Sequence, residues 1–241
     1  ASGTTIIKNA AKEPEVVDLG NFLIKMGAKI EGLGTNEIII DGVEKLEACE
    51  YEVMPDRIEA GTCIIMSLIT GGNLKIKNVN LGDLPGFISK LEEMGVEFNQ
   101  DGEYLNVFGD LKELKNVKVE TGVHPGFPTD LQPQIMVLLS LINGVSEIEE
   151  TIFSNRFMLV PELNRMGSNI IVEERKATIQ GNVKFEGAEV TAPDLRAGAS
   201  LVLAGLVADN TTVVNEIKHV ERGYEDLVGR LDGLGAKISK E

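Results

Sequence analysis

The segment GTTIIKNAAKEPEVVDLGNFLIKMGAKI, residues 3–30, decides the fold because its pattern occurs four times in the 241-residue chain. The further copies are GGNLKIKNVNLGDLPGFISKLEEMGVEF at 71–98, GVSEIEETIFSNRFMLVPELNRMGSNI at 144–170 and NTTVVNEIKHVERGYEDLVGRLDGLGAKI at 210–238. The glycines that close the apolar stripes, Gly27, Gly95, Gly167 and Gly235, are 68, 72 and 68 residues apart. An interval that stays near 70 residues indicates an architecture built from repeated units.

Each copy is predicted to form a strand, a loop, a helix and a second strand. The first strand is a short run such as Thr5–Ile7. The helix carries apolar residues at the spacing of one buried face: Val16, Leu19, Phe22, Leu23 and Met26 in the first copy, and Tyr224, Leu227, Val228, Leu231 and Leu234 in the fourth. The glycine after each stripe suits the left-handed position that ends a helix.

A second type of helix is predicted between the copies. It begins with an Asp in DRIEAGTCIIMSLIT (from Asp56), DLQPQIMVLLSLIN (from Asp130) and DLRAGASLVLAGLVA (from Asp194). Asp is a good N-cap, and a helix that is apolar nearly all round is buried on all sides. The sequence therefore predicts an α/β fold in which buried helices pack inside a shell of sheets.

The first copy lacks such a helix, because only two residues precede Gly3. We therefore expect the natural chain to continue upstream, since an unpartnered amphipathic helix leaves an apolar face uncovered. Residues 42–54 carry few helix signals and lead into Pro55-Asp56. We predict a boundary there: residues 1–54 are the remnant of one domain, part of its last repeat, and residues 55–241 form three repeats of a second domain.

Composition limits the possible functions. The net charge of −15 disfavours binding to nucleic acid or to an anionic membrane. The longest apolar runs, such as residues 201–208, are too short to span a bilayer. The two cysteines, Cys49 and Cys63, offer neither a disulfide framework nor a metal-binding spacing, and we expect both to be buried. These features predict a soluble cytoplasmic protein.

Four arginines are candidate anion ligands. Arg57 and Arg196 follow the first residues of buried helices, where a cation is unfavourable unless it pairs with the capping Asp or binds a ligand. Arg156 and Arg222 lie in loops before the amphipathic helices. Equivalent loops of a repeat fold emerge on the same side, so the four could form one rim that binds phosphate or carboxylate. Alternatively, each is paired with a carboxylate or solvated.

Asp130 has two possible roles. It could be an N-cap, as Asp56 and Asp194 are predicted to be, or a general base at the mouth of a cleft. The Pro and Gly residues of the HPGFPTDLQ segment predict a stiff loop that would fix its position. The only histidines, His124 and His219, lie near these loops and have no metal-binding spacing. We expect neither to take a direct part in catalysis.

The chain resembles the C-terminal portion of the UDP-N-acetylglucosamine 1-carboxyvinyltransferases, the enolpyruvyl transferases of peptidoglycan synthesis. The segments that carry the resemblance are MPDRIEAGT, HPGFPTDLQPQ, ETIFSNRFMLVPELNRMG, APDLRAGASLVLAGL, HVERGYEDLVGRLDGLGAKI and residues 3–30. It implies βαβαββ units forming an inside-out α/β barrel, with the active site between two domains. It also implies transfer of enolpyruvate from phosphoenolpyruvate to the 3-hydroxyl of UDP-N-acetylglucosamine, with release of phosphate and with no metal or organic cofactor.

The resemblance implies roles for particular residues. Asp130 matches the carboxylate that contacts the sugar 3-hydroxyl and acts as its base. Arg196 and Arg222 match the arginines that bind the phosphate and carboxylate of phosphoenolpyruvate, Arg222 being a catalytic residue. Further contacts match Ile152, which meets the UDP-sugar through its backbone, its neighbour Phe153, and Arg57 and Asp194, which line the cleft.

Some positions depart from the family pattern. Glu221, Ser154 and Leu159 replace the family's usual Asp, Glu and His. Its Pro-Gly-Gly-Cys loop and the Lys-Asn pair near its N-terminus have no counterpart here, and Cys63 lies in a buried-helix pattern. We therefore expect this chain to carry one wall of the site and to be inactive without the other half of the enzyme. Two alternatives remain: a non-catalytic repeat domain that binds anionic metabolites or a protein partner, and a complete small enzyme with different chemistry.

Overall fold

The structure, a computed structural model, describes residues 2–240. Ala1 and Glu241, the outermost residues of the two predicted domains, lie outside the described residues. The first unit contains β1 (Thr4–Lys8), α1 (Pro14–Lys25), β2 (Lys29–Glu31) and β3 (Glu37–Asp41). Its strands form an antiparallel sheet in the order β1-β3-β2. No helix or strand occurs between β3 and Arg57, as the composition of that stretch predicted.

In each later unit, a long helix precedes the segment that repeats this arrangement. The second contains α2 (Arg57–Thr70), β4 (Lys75–Lys77), α3 (Pro85–Met94), β5 (Glu97–Asp101) and β6 (Tyr104–Phe108). The third contains β7 (Lys118–Glu120), α4 (Gln132–Leu141), β8 (Val145–Glu149), α5 (Val160–Arg165), β9 (Asn169–Glu173) and β10 (Lys176–Gln180). The fourth contains β11 (Glu189–Thr191), α6 (Leu195–Val207), β12 (Val213–Asn215), α7 (Lys218–Glu221) and α8 (Leu227–Gly233).

The sheets follow the repeat. The second unit forms the antiparallel sheet β4-β6-β5, and the third forms β7-β8-β10-β9. In the last two units the strand before the buried helix pairs in parallel with the strand after it: β7 with β8, and β11 with β12. A parallel pair needs a crossover connection, and here α4 and α6 supply it.

The three long helices form the centre of the molecule. Helices α2, α4 and α6 pack on one another, and the side chains of Ile64, Ile135 and Leu201 are fully buried. Each buried aliphatic side chain stabilises the fold by about 1.5–3 kcal/mol relative to its exposed state. The prediction of helices buried inside a shell of sheets is confirmed.

The first unit has a more open core than the others. Ile6 is 54% exposed and Leu19 is 56% exposed, whereas Phe87 and Leu91 on the matching helix α3 are fully buried. The difference arises because α2 and its relatives cover the later units, and no such helix among the described residues covers β1 and α1. The apolar face expected from the repeat comparison is therefore open to solvent.

One predicted helix differs from the structure. The fourth amphipathic stripe was expected to begin at Tyr224, but residues 222–226 form a turn between α7 and α8. Asp226 adopts a left-handed φ of 44°, and its carboxylate accepts a hydrogen bond from the N–H of Gly229, so that it caps α8. Tyr224 is consequently not a helix residue, although its side chain is buried. Within the described residues, no helix is long and apolar enough to cross a membrane.

Candidate active site

The three Asp residues that precede the buried helices do not share one role. Asp56 and Asp194 are N-caps: the Asp56 carboxylate accepts from the N–H of Ile58 and of Glu59, and that of Asp194 accepts from Ala197. Asp130 lies instead within a 3-10 turn, and no side chain caps α4. The alternative that Asp130 is only an N-cap is therefore wrong, and its carboxylate is free for other partners.

Two arginines hold the Asp130 carboxylate. Arg156 Nη2 donates to Oδ1 at 2.7 Å, and Arg196 donates to Oδ2 from Nη2 at 3.1 Å and from Nε at 3.3 Å. Asp194 Oδ2 lies 4.0 Å from Arg156 Nη1. We call Asp130, Arg156, Arg196 and Asp194 the Arg–Asp cluster. It lies where the N-terminal ends of α4 and α6 meet, and helix N-termini favour anions.

The cluster retains donors with no acceptor. Arg156 Nε and Arg196 Nη1 are buried and have no hydrogen-bond partner among the residues that the structure describes. Buried polar groups are nearly always hydrogen-bonded to protein, to ordered water or to a bound ion, so these donors call for a partner that the described residues do not supply. Guanidinium groups match the oxygens of phosphate and carboxylate through paired N–H donors. The cluster can therefore bind an anion and present a carboxylate beside it.

Arg196 is supported from the core side by Tyr224. Its guanidinium carbon lies 5.8 Å from the centre of the Tyr224 ring, a cation–π contact. The Thr62 hydroxyl donates to the carbonyl of Ile58, so the Tyr224 hydroxyl is the donor in its 2.8 Å bond to Thr62. Gln134 Nε2 also donates to Thr62, at 3.1 Å. This polar network ties α2, α4 and the α7–α8 turn together beneath Arg196.

Contacts with two neighbouring segments hold the loop before Asp130. The N–H of Gly122 donates to the carbonyl of Phe127, and Phe127 packs against Phe87 with ring centres 5.7 Å apart. A Cβ built on Gly61 of α2 would lie 2.5 Å from the side chain of Leu131. Glycine at that position lets α2 approach the residue that follows Asp130.

The predicted sugar-contact residues lie in a turn beside Arg156, which we call the rim turn. Ile152 is 37% exposed and Phe153 is 51% exposed, and the Phe153 ring lies 5.5 Å from the guanidinium carbon of Arg156. The backbone N–H of Ile152 donates to the side chain of Glu150 at 2.8 Å. Its carbonyl therefore remains the group that could contact a ligand.

Sequence reasoning missed Glu150. This residue is only 1% exposed, and its carboxylate accepts hydrogen bonds from both the 121–129 loop and the 152–153 turn. The available signal was an acidic residue directly after an alternating strand, at a position where the strand pattern calls for an apolar side chain.

Arg57 lies outside the Arg–Asp cluster. It donates two hydrogen bonds of 2.9 Å to the carboxylate of Glu15 on α1, and its side chain is 10% exposed. Burial opposes ionisation of Glu15, but the hydrogen bonds and charge of Arg57 outweigh it and hold the pKa of Glu15 below its ordinary value. Arg57 pairs with neither Asp56 nor Asp130, so it joins the first unit to the second. The expected rim of four arginines therefore does not include Arg57.

The remaining candidates occupy different surroundings. Arg222 is exposed at the end of α7, two residues before Tyr224, and no hydrogen bond joins it to Asp130. Cys63 is half-buried in α2, and burial raises the pKa of its thiol to about 11. Cys49 is also half-buried, so neither cysteine is as fully buried as expected. An open groove of about 550 Å³ runs between α1 and the His124-Pro125 segment, and none of the four cluster residues lines it.

The fold points to a class of protein. Buried helices inside a shell of small sheets are also found in a solved enolpyruvyl transferase. The enolpyruvyl transferase NikO from Streptomyces tendae matches with a TM-score of 0.89 at 28% identity, over 99% of this chain and 57% of that chain. EPSP synthase from Acinetobacter baumannii has the same fold, with a TM-score of 0.72 at 20% identity, over 100% of this chain and 59% of that chain.

The chain belongs to the EPSP synthase (3-phosphoshikimate 1-carboxyvinyltransferase) family, which matches residues 1–231. It is 51% identical over 240 residues to UDP-N-acetylglucosamine 1-carboxyvinyltransferase of Geotalea daltonii, and covers 57% of that protein. It is 53% identical over 240 residues to UDP-N-acetylglucosamine 1-carboxyvinyltransferase 1 of Halalkalibacterium halodurans, and covers 54% of it. Both alignments include 100% of this chain, so the chain spans little more than half the length of these relatives.

Proposed function

We propose that this chain forms one wall of an active site that transfers enolpyruvate from phosphoenolpyruvate to the 3-hydroxyl of UDP-N-acetylglucosamine, a step in peptidoglycan synthesis. The observation that carries the proposal is the Asp130 carboxylate held between Arg156 and Arg196, in a chain about 51% identical to relatives of that name. The predicted cytoplasmic location, and a part in cell shape and division, belong to the same proposal.

The reaction needs a base and an anion site side by side. The oxygen of the sugar hydroxyl bonds to C2 of phosphoenolpyruvate, its proton passes to a base, and C3 takes up a proton. Loss of phosphate and of one C3 proton then restores the double bond. Asp130 suits the role of base, because it is a carboxylate at the rim with side-chain exposure of 39%. Arg196 and Arg222 are proposed to bind the phosphate and carboxylate of phosphoenolpyruvate.

The rim supplies the sugar contacts in this proposal. Ile152 offers its carbonyl, Phe153 offers its exposed ring, and Asp194 and Arg57 line the cleft. In this role Arg57 remains ion-paired with Glu15. The boundary near residue 54 is part of the proposal: residues 1–54 belong to one domain and 55–241 to another, with the Arg57–Glu15 pair between them.

The test uses a joined enzyme, in which this chain is fused behind the segment of the Geotalea daltonii relative that the chain does not cover. We expect the joined enzyme to release phosphate from phosphoenolpyruvate with UDP-N-acetylglucosamine, and not with shikimate 3-phosphate. This chain alone should release none, since a site with one wall loses positioning and charge stabilisation. Turnover by the chain alone would overturn the one-wall proposal, and turnover only with shikimate 3-phosphate would overturn the substrate assignment.

A further inference from the structure

Glu150 combines deep burial with a negative charge. It follows β8, is 1% exposed, and its carboxylate forms no ion pair with any described residue. The nearby Arg175 donates instead to the carbonyls of Glu150 and Thr151. A buried carboxylate without a countercharge is costly unless hydrogen bonds saturate it. Such a residue is expected only where the bonds that it accepts serve a purpose.

The bonds to Glu150 come from two segments of the site. Oε1 accepts from the N–H of Ile152 at 2.8 Å, from the N–H of Phe153 at 3.0 Å and from the Thr121 hydroxyl at 2.9 Å. Oε2 accepts from the Thr129 hydroxyl at 2.9 Å. One carboxylate therefore joins the rim turn to both ends of the loop that leads to Asp130.

Two paths lead from Glu150 to Asp130. Thr129 is the residue directly before Asp130, so its bond to Glu150 fixes the backbone that carries the carboxylate. Phe153 contacts Arg156, and Arg156 donates to Asp130 at 2.7 Å. Arg196 meets both paths only through its hydrogen bonds to Asp130, and it has a separate support in Tyr224.

We propose that Glu150 is a positioning residue that fixes the distance between Asp130 and the Ile152–Phe153 turn. The proposal rests on the proposed function, in which the same sugar contacts Asp130 and the turn. Glu150 touches no substrate. It acts by holding the base and the sugar-binding turn in one geometry, while the phosphoenolpyruvate site keeps its separate support from Tyr224.

The test compares three variants of the joined enzyme. Glu150→Ala removes all four bonds. Glu150→Gln keeps the three bonds to Oε1 and lets the new amide donate to Thr129, so it preserves the geometry without the charge. Glu149→Ala is the control, since Glu149 is a partly exposed neighbour that pairs with Lys176.

In Glu150→Ala we expect kcat to fall about 10- to 100-fold and the KM for UDP-N-acetylglucosamine to rise about 10-fold, as expected for misplacement by about 1 Å. The KM for phosphoenolpyruvate should change less than about 3-fold, because Arg196 keeps its support. Glu150→Gln and Glu149→Ala should stay within about 3-fold of the parent in all three constants. Partial unfolding would instead lower kcat with both KM values unchanged, and that pattern would overturn the proposal.

Hydrogen–deuterium exchange separates this inference from the proposed function. Glu150→Ala should speed exchange in residues 121–131 and 151–157 of the joined enzyme, and leave α6 unchanged. An inactive parent in which this exchange pattern appears contradicts the proposed function alone. An active parent whose Glu150→Ala variant matches it in kinetics and exchange contradicts the role of Glu150.

Discussion

Asp130→Asn is the sharpest test of the proposed base. Asparagine has the size of aspartate but only one acceptor oxygen, and its amide cannot take up the hydroxyl proton. If that oxygen faces Arg196, two of the three hydrogen bonds remain. The amide NH2 then faces Arg156 Nη2 across the present 2.7 Å contact, and two donors meet there. Arg156 has to move, and its hydrogen bond is lost.

The structural and chemical effects of this substitution differ in size. A hydrogen bond to a charged group contributes about 1.5–3 kcal/mol, and the 39% exposure of the Asp130 side chain reduces this to about 1 kcal/mol. A protein with about 5–15 kcal/mol of stability remains folded after such a loss. Removing a general base lowers turnover by about 10²- to 10⁴-fold. The variant should therefore be folded and nearly inactive.

The assay is steady-state phosphate release by the joined enzyme, with both KM values and the thermal midpoint measured for each variant. We expect kcat to fall at least about 100-fold in Asp130→Asn, with both KM values within about 5-fold of the parent. Asp226→Asn is the matched control, because asparagine also caps helices and tolerates the left-handed φ. A kcat within about 3-fold of the parent would remove Asp130 from the base role. A large rise in the KM for phosphoenolpyruvate with unchanged kcat would make it a partner of the arginines only.

Two further predictions concern the Arg57–Glu15 pair and Cys63. The pKa of Glu15 lies below its ordinary value of 4.5, so the pair stabilises the protein fully above that value and the contribution is lost as pH falls through the lowered pKa. Thermal midpoints measured from pH 6 to pH 3 should therefore converge for the parent and Arg57→Met at the acid end, and a constant difference would contradict the linkage. The Cys63 thiol, with a pKa of about 11, should react with iodoacetamide at pH 7.5 far more slowly than in the urea-unfolded protein. Mass spectrometry of the labelled peptide measures this, and equal rates would contradict its burial.

The repeat could be predicted because it depends on local patterns. Apolar spacing and the closing glycines predicted α1 and α3, and the apolar stretches after Asp56, Asp130 and Asp194 predicted the three buried helices. The fourth helix was placed wrongly because its apolar spacing continues through Tyr224, whereas the left-handed Asp226 and its cap on α8 break the backbone there. A tertiary contact, the bond between Tyr224 and Thr62 in α2, draws that ring into the core.

The site was harder to predict than the fold because its pairings join distant residues. Sequence reasoning found Asp130, Arg156 and Arg196, but the alternatives of cap and base differ only in where the carboxylate points. Arg57 was grouped with the others by its position in the repeat, and its partner Glu15 lies 42 residues away. Glu150 was missed for the same reason, since nothing near it in the chain indicates that Thr121 and Thr129 approach its carboxylate.

The hydrogen bonds that Asp130 accepts from two arginines affect how such a site would act. Both of its oxygens accept hydrogen bonds from guanidinium groups, so neither oxygen is without a partner in this structure. Phosphoenolpyruvate has phosphate and carboxylate oxygens that compete for the same donors. We expect its binding to draw at least one arginine from Asp130 and leave an oxygen free for the sugar hydroxyl. The base would then become available only when the enolpyruvyl donor is bound, which limits proton transfer to the complex that can react.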